Sequence, residues 1–336
     1  MKGALFSVVL ALLAPAGVQS AAPPASASAA GAPRLSLPIA CDPGRTCEIQ
    51  HYVDRDPGPG TRDYHCGLQT YDRHDGIDIR LPDMAAERRG VAVLAAAPGV
   101  VTGVRDGEAD ISIRAPGAPS IAGRECGNGV LLDHGGGWAT QYCHMARGSV
   151  AVKPGQKVET GTPLGRVGLS GNTEFPHLHL TVRHDGKAVD PFAPDATDPT
   201  QCRPQATLWA PAAQARLAYH AGAILNGGFA DGPVSMETLE GGQVAVPTAG
   251  SPMIIFYARG IALLPGDEVE LALTDPQGAS LAQARRPPLA AWRAQDLSFV
   301  GRKRPAAGWA KGRYVGDYRV WRQGKVAISR RFELTI

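Results

Sequence analysis

The sequence predicts a mainly β protein: an antiparallel β-sheet domain followed by a smaller β-sandwich, Ig-like in general form. Three observations carry this. The 336 residues include 41 Gly and 28 Pro but few aromatics, a composition of short strands and turns rather than long helices. Short β-like runs recur between these breakers from residue 77 onward. No 3.6-residue periodicity persists beyond a single turn at Met84 to Arg88. The length suffices for two domains, and 44% hydrophobic residues is a globular proportion. A formal charge of only +3 makes no demand for nucleic acid or an acidic membrane as partner.

In chain order, residues 1–20 read as a signal peptide. Met1-Lys2 gives a short positive start, and Ala4 to Leu13 is apolar but too short to span a bilayer comfortably. Residues 21–34, beginning AAPPASASAAGAP, have the Ala/Pro/Ser composition of a flexible linker. Residues 35–205 form the first domain, opened by a Pro-, Gly- and Asp-rich arm with an isolated strand near Cys47 to Val53. Strands are expected at Ile77–Arg80, Val91–Ala95, Gly99–Val104, Ala109–Ile113, Gly129–Asp133, Trp138–His144 and through His177 to Val182. Residues 206–336 form the C-terminal sandwich, with a short helix over Ala212 to Tyr219. Its expected strands are Met253–Ala258, Glu268–Thr274, and a terminal hairpin of Tyr314–Trp321 with Val326–Thr335.

Six cysteines and no CxxC pair fit an exported, oxidised protein better than a thiolate metal site. Cys41 and Cys47 flank the turn Asp42-Pro43-Gly44. Cys126 and Cys143 flank two β-like runs joined by Gly135-Gly136-Gly137. Cys66 and Cys202 remain, tying the start of the domain to its end.

The chemistry is concentrated in histidines. In a strand, residues i and i+2 face the same way, so His177 and His179 share a face while Leu178 points into a core. Upstream, His74 and Asp78 bracket Gly76 in a turn that runs into a strand. With His179 they offer two imidazoles and one carboxylate, a nitrogen/oxygen set suited to zinc with a fourth position left for water. Expected bond lengths are ~2.0–2.2 Å. His177 can flank such a metal without binding it, and His144 ends the run Trp138 to Met145. Imidazoles there can take a proton or stabilise an oxyanion near pH 7. His51, His65 and His184 sit in loop-like or edge contexts and read as solvated. His134 reads as structural or groove-lining, and His220 as structural or exposed.

His74-x-Gly-x-Asp78, Tyr142-x-His144 and His177-x-His179 resemble the three signature motifs of the M23 (lysostaphin/LytM-type) zinc metallopeptidases. The segments Ala95–Val101, Gly127–Val130, Val152–Val158 and Gly165–Thr173 match as well, so the likeness covers roughly Tyr71 to Phe192. The resemblance implies an antiparallel sheet under a narrow groove, with Zn²⁺ on His74, Asp78 and His179 and with His144 and His177 as catalytic, non-ligand histidines. It implies an exported endopeptidase acting, as a monomer, on peptidoglycan peptides in the periplasm or outside the cell, with no membrane span after signal cleavage. A catalytically silent wall-binding protein, or an activator of a cell-wall amidase, would keep the same fold; the complete residue set argues for the hydrolase. Two departures stand out. Cys143 precedes His144, where a disulfide should stiffen the strand without touching the chemistry, and Phe175-Pro176 precedes the last motif, where it reshapes the groove wall.

Overall fold

Runs that alternate apolar and polar residues on either side of glycine turns pair with one another, and the first half of the chain closes into one antiparallel sheet. The computed structural model describes residues 1, 31–195, 198, 200–202 and 206–336. The expected signal peptide, apart from Met1, and most of the expected linker lie outside the described residues. The elements of the first half are β1 (Glu48–His51), β2 (Ile77–Arg80), α1 (Met84–Arg88), β3 (Ala92–Leu94), β4 (Gly99–Arg105) and β5 (Asn128–Gly135). They continue with β6 (Trp138–Met145), β7 (Lys157–Val158), β8 (Pro163–Arg166), β9 (His177–His184) and β10 (Lys187–Val189). The main sheet runs β1-β2-β9-β6-β5-β4-β7, with β10 on β9, while β3 and β8 form a separate pair.

Register decides which side chains meet. In β2 and β9 the partners are Ile77 with Leu180, Asp78 with His179, Ile79 with Leu178 and Arg80 with His177. Partners share a face, so the aliphatic pairs enter one core together with Val130, Leu132, Tyr142 and Val182. The polar pairs take the opposite face. The expected strand at Ala109–Ile113 is absent. Apart from an isolated bridge between Asp110 and Ser170, it is loop. The Asp110 carboxylate explains this: it accepts backbone N–H groups of Arg147 and Leu169 at 2.8 and 2.9 Å, giving the loop an alternative to ladder pairing.

The three expected disulfides are present: Cys41–Cys47, Cys66–Cys202 and Cys126–Cys143. The longest closes a separation of 136 residues, worth about 4–5 kcal/mol on the chain-entropy account.

The C-terminal elements are α2 (Pro211–Arg216), β11 (Ala223–Ala230), α3 (Met236–Gly241), β12 (Met253–Leu263), β13 (Glu268–Thr274), β14 (Ser280–Arg285), β15 (Arg293–Lys303), β16 (Arg313–Arg322) and β17 (Lys325–Thr335). Sheets of order β11-β12-β15 and β14-β13-β16-β17 enclose a second core around Phe256, Leu271, Tyr318 and Val320. Strands β11, β14 and β15 escape the sequence reading. Edge strands such as β14, mostly exposed, carry little apolar alternation. Leu208, Trp209, Ala213 and Leu217 pack into the first core, although composition groups them with the sandwich. Leu35 explains their placement, because it pairs with Trp209 and donates its N–H to Leu208. Among the described residues no helix is long and apolar enough to cross a membrane.

Candidate metal centre

The turn before β2 and the middle of β9 bring His74, Asp78 and His179 together. Asp78 and His179 are direct cross-strand partners, so their side chains rise side by side. His74 reaches them from a turn in which Arg73 adopts φ 63°. Gly76 is required by space: a Cβ there would lie 2.6 Å from His179 Nε2 and 2.7 Å from the Leu180 carbonyl.

Three ligand-capable atoms converge. Asp78 Oδ1 lies 3.2 Å from His74 Nε2 and 2.8 Å from His179 Nδ1, and the two nitrogens are 3.2 Å apart. Tetrahedral zinc bonds of ~2.0–2.2 Å set ligand atoms about 3.3–3.6 Å apart, so a slight opening of this triangle fits the ion. The far side of each residue is anchored. His74 Nδ1 donates to the Tyr52 carbonyl at 2.6 Å, which leaves Nε2 as the free lone pair. His179 Nε2 meets Thr181 Oγ1 at 3.0 Å and Asp75 Oδ1 at 3.4 Å, and Arg183 holds Asp75 at 2.8 Å.

Asp78 Oδ2 accepts from His51 Nδ1 at 2.9 Å. This corrects the expectation for His51, whose side chain is 12% exposed rather than solvated. The arm folds as β1 against β2, with His51 beside Asp78. A single histidine in a loop-like stretch gave no signal of this, because the contact depends on the arm's register.

Electrostatics follow the crowding. Burial pushes the Asp78 carboxyl up, but the imidazoles of His74 and His177 and its hydrogen bonds hold it well below the usual carboxylate range. Burial disfavours a charged His179, yet its bonds to Asp75 and Asp78 carry it up to about 9. Asp75 is drawn down to about 2, first by its hydrogen bond to His179. Burial lowers His51. This is a face built to hold positive charge.

His144 and His177 stand beside the triangle, their rings 4.6 Å apart, and His144 is 5.9 Å from His179. His177 Nδ1 is held by the Phe175 carbonyl at 3.0 Å and Thr173 Oγ1 at 3.1 Å, with Nε2 3.3 Å from Asp78 Oδ1. His144 arrives by a less regular route. Cys143 pairs with His179, so strict alternation would send His144 to the core face with Tyr142. A bulge intervenes: Gly129 faces both Cys143 and His144, and His144 takes φ 61°. Its N–H donates to the Cys126 carbonyl at 2.8 Å and its Nδ1 to Ser170 O at 2.7 Å. The Cys126–Cys143 disulfide therefore adjoins the histidine-bearing face instead of standing apart from it. Burial drives His144 well below its ordinary value, and the neighbouring His177 and His179 act the same way.

Other histidines sort by their contacts. His134 is tied to Pro98 O and Thr140 Oγ1 at 2.7 and 2.8 Å, a structural role. His184 stacks on Trp138 and His65 on Tyr219. Asn128 is fully buried and serves the backbone of Gly107, Glu108 and Met145.

The family model for Peptidase family M23 matches residues 72–191, the segment that carries all five residues. Over these residues, about a third of the chain, it is similar to peptidase family M23. Over 128 residues it is 34% identical to the cell division protein DipM of Caulobacter vibrioides, covering 36% of this chain and 17% of that protein. It is 32% identical over 131 residues to the DD-carboxypeptidase/endopeptidase Mpg of Neisseria meningitidis serogroup B, 38% of this chain and 24% of that one. The peptidoglycan DD-endopeptidase ShyA of Vibrio cholerae is 38% identical over 64 residues, 19% and 14% of the two chains. The chain thus spans less than a quarter of these relatives' length. Among solved structures, the catalytic domain of the M23 protein EnpA from Enterococcus faecalis has a TM-score of 0.32 at 23% identity, covering 49% of this chain and 96% of that one.

Proposed function

We propose that this protein is an exported zinc metallo-endopeptidase that hydrolyses an amide bond in the peptide cross-links of peptidoglycan. The observation that carries the reading is the convergence of His74 Nε2, Asp78 Oδ1 and His179 Nδ1 within 2.8–3.2 Å of one another, flanked by two further imidazoles. His74, Asp78 and His179 would hold the zinc. When bound, zinc supplies Lewis-acid activation of water and of the scissile carbonyl.

The chain's own residues do the rest. The Nδ1 atoms of His144 and His177 are occupied by the carbonyls of Ser170 and Phe175, so Nε2 is the nitrogen each ring has left for proton transfer. One takes the proton of the attacking water; the other, protonated, stabilises the oxyanion and serves the leaving amine. His51, Tyr52, Thr181 and Asp75 orient the ligands through their outer atoms. The name of Mpg, which includes endopeptidase, supports peptide-bond hydrolysis, that of ShyA, a peptidoglycan DD-endopeptidase, supports peptidoglycan as substrate, and three disulfides support an oxidising destination such as the periplasm.

Incubating the zinc-loaded protein with purified sacculi tests the proposal. Mass spectrometry should find new peptide termini and fewer cross-links, abolished by a chelator. Intact muropeptides at every zinc concentration would refute it and favour a silent wall-binding role.

A further inference from the structure

Arg80 stands in β2 directly opposite His177 in β9, two residues beyond Asp78. Its side chain is fully buried. Nη1 donates to Gln50 Oε1 at 3.0 Å, and Nη2 to Glu240 Oε2 at 2.5 Å. Glu240 belongs to α3, beyond the first core. The same Oε2 accepts Arg259 Nη1 at 2.5 Å, and Arg259 also donates to the Pro82 carbonyl. One carboxylate thus clamps a guanidinium from each half of the molecule.

The clamp reaches the catalytic face. The Arg80 guanidinium carbon lies 3.8 Å from the centre of the Phe175 ring. That ring is 5.0 Å from the His177 imidazole, and the Phe175 carbonyl accepts His177 Nδ1 at 3.0 Å. Phe175 also lines a cavity of about 660 Å³ shared with Met236 and Glu240, so packing does not confine its ring on every side. Arg80 supplies the fixed platform.

The energetics favour a positional role over simple adhesion. Two fully buried guanidinium groups share one carboxylate, with the charge of Glu174 also near Arg80. Buried ion pairs of this kind add little stability over apolar packing, because desolvation offsets their attraction. A planar guanidinium held at Nη1 and Nη2 presents a face of defined orientation.

We propose that the C-terminal unit orients His177 through Glu240, Arg80 and Phe175, making Glu240 a positioning residue, an inference that rests on the hydrolytic role given to His177 above.

The full chain, zinc-loaded and with ¹⁵N-labelled histidines, tests this. Glu240→Gln keeps the shape and removes the charge. It should lower kcat about five- to tenfold with KM within about twofold and one zinc per chain retained. The ring-nitrogen resonances of His177 should move, while those of His134, which touches none of these residues, should not. Phe175→Leu should move the same resonances, and the double variant should add little to either single one. Unmoved His177 resonances in a folded Glu240→Gln chain, or full additivity with Phe175→Leu, would overturn the proposal. If Glu240→Gln does not fold, Arg80→Lys is read in the same way; loss of folding in both would assign the cluster to stability alone and overturn it. A wild-type chain inert on sacculi would sink the hydrolase reading, whereas the resonances would still decide the coupling.

Discussion

His51 donates from Nδ1 to Asp78 Oδ2 across 2.9 Å, tying the N-terminal arm to the carboxylate that lies between His74 and His179. The other oxygen of Asp78 faces His74 Nε2 and His179 Nδ1, so His51 orients the lone pairs that a cation held there would meet. Outer partners of this kind typically govern metal affinity by about 10–100-fold. His51→Ala should weaken zinc binding by that order in a chelator competition, with the sheet unchanged by circular dichroism. Unaltered affinity would make the contact incidental.

His144 and His179 should separate cleanly. His179→Ala is expected to abolish stoichiometric zinc and activity together. His144→Ala should keep one zinc per chain and lose turnover by about 10²–10⁴-fold, the weight of a general acid–base group. Metal analysis beside a sacculus assay distinguishes them. Full zinc content in the His179→Ala protein would remove it from the ligand set.

The left-handed conformation of His144 depends on its neighbours, since its N–H bonds to the Cys126 carbonyl and Cys126 is bridged to Cys143. Replacing both cysteines with serine should lower kcat about tenfold while zinc content stays at one per chain, because the strained backbone loses the constraint that over-determines it. The Cys41→Ser, Cys47→Ser pair, far along the chain from His144, is the control. Equal losses in both variants would reduce the effect to general destabilisation.

Asp190 is a buried carboxyl with one oxygen accepting the Phe192 N–H at 2.9 Å and the other without a partner. Burial raises it from 3.8 to about 7. The folded state therefore binds this proton more tightly than the unfolded chain. That contribution is complete below about pH 4 and is lost as pH rises through 7. Asp190→Asn should match wild type near pH 4 and exceed its Tm by roughly 3–6 °C at pH 8. Glu48, raised to about 7 by burial, acts in the same sense and should keep some slope in the variant. A constant Tm difference across the range would refute the assignment.

Much of the fold was legible because it is written in short-range patterns. Leu178 between two histidines announced an alternating strand, and the glycine-separated run Trp138 to Met145 announced its neighbour. Disulfide partners could be read from the turns they flank and, for Cys66 and Cys202, by elimination. The strand at Ala109–Ile113 failed because a carboxylate, invisible to hydrophobic periodicity, drew the backbone into a loop. Trp209 looked like the start of a new domain because composition carries no record of its pairing with Leu35.

The sequence by itself determined that this is a mainly β protein with a segment similar to the M23 peptidases, that His177 and His179 share a face, and that His74 and Asp78 are spaced to join them. These follow from strand alternation and motif spacing, which act within a few residues. Only the tertiary structure decided that His144 turns back to the face of His177 and His179, that His51 braces Asp78, and that Glu240 reaches Arg80. Each of those depends on a bulge, a register or a docking contact between segments distant in the chain, and such geometry is set by packing rather than by any local run of residues.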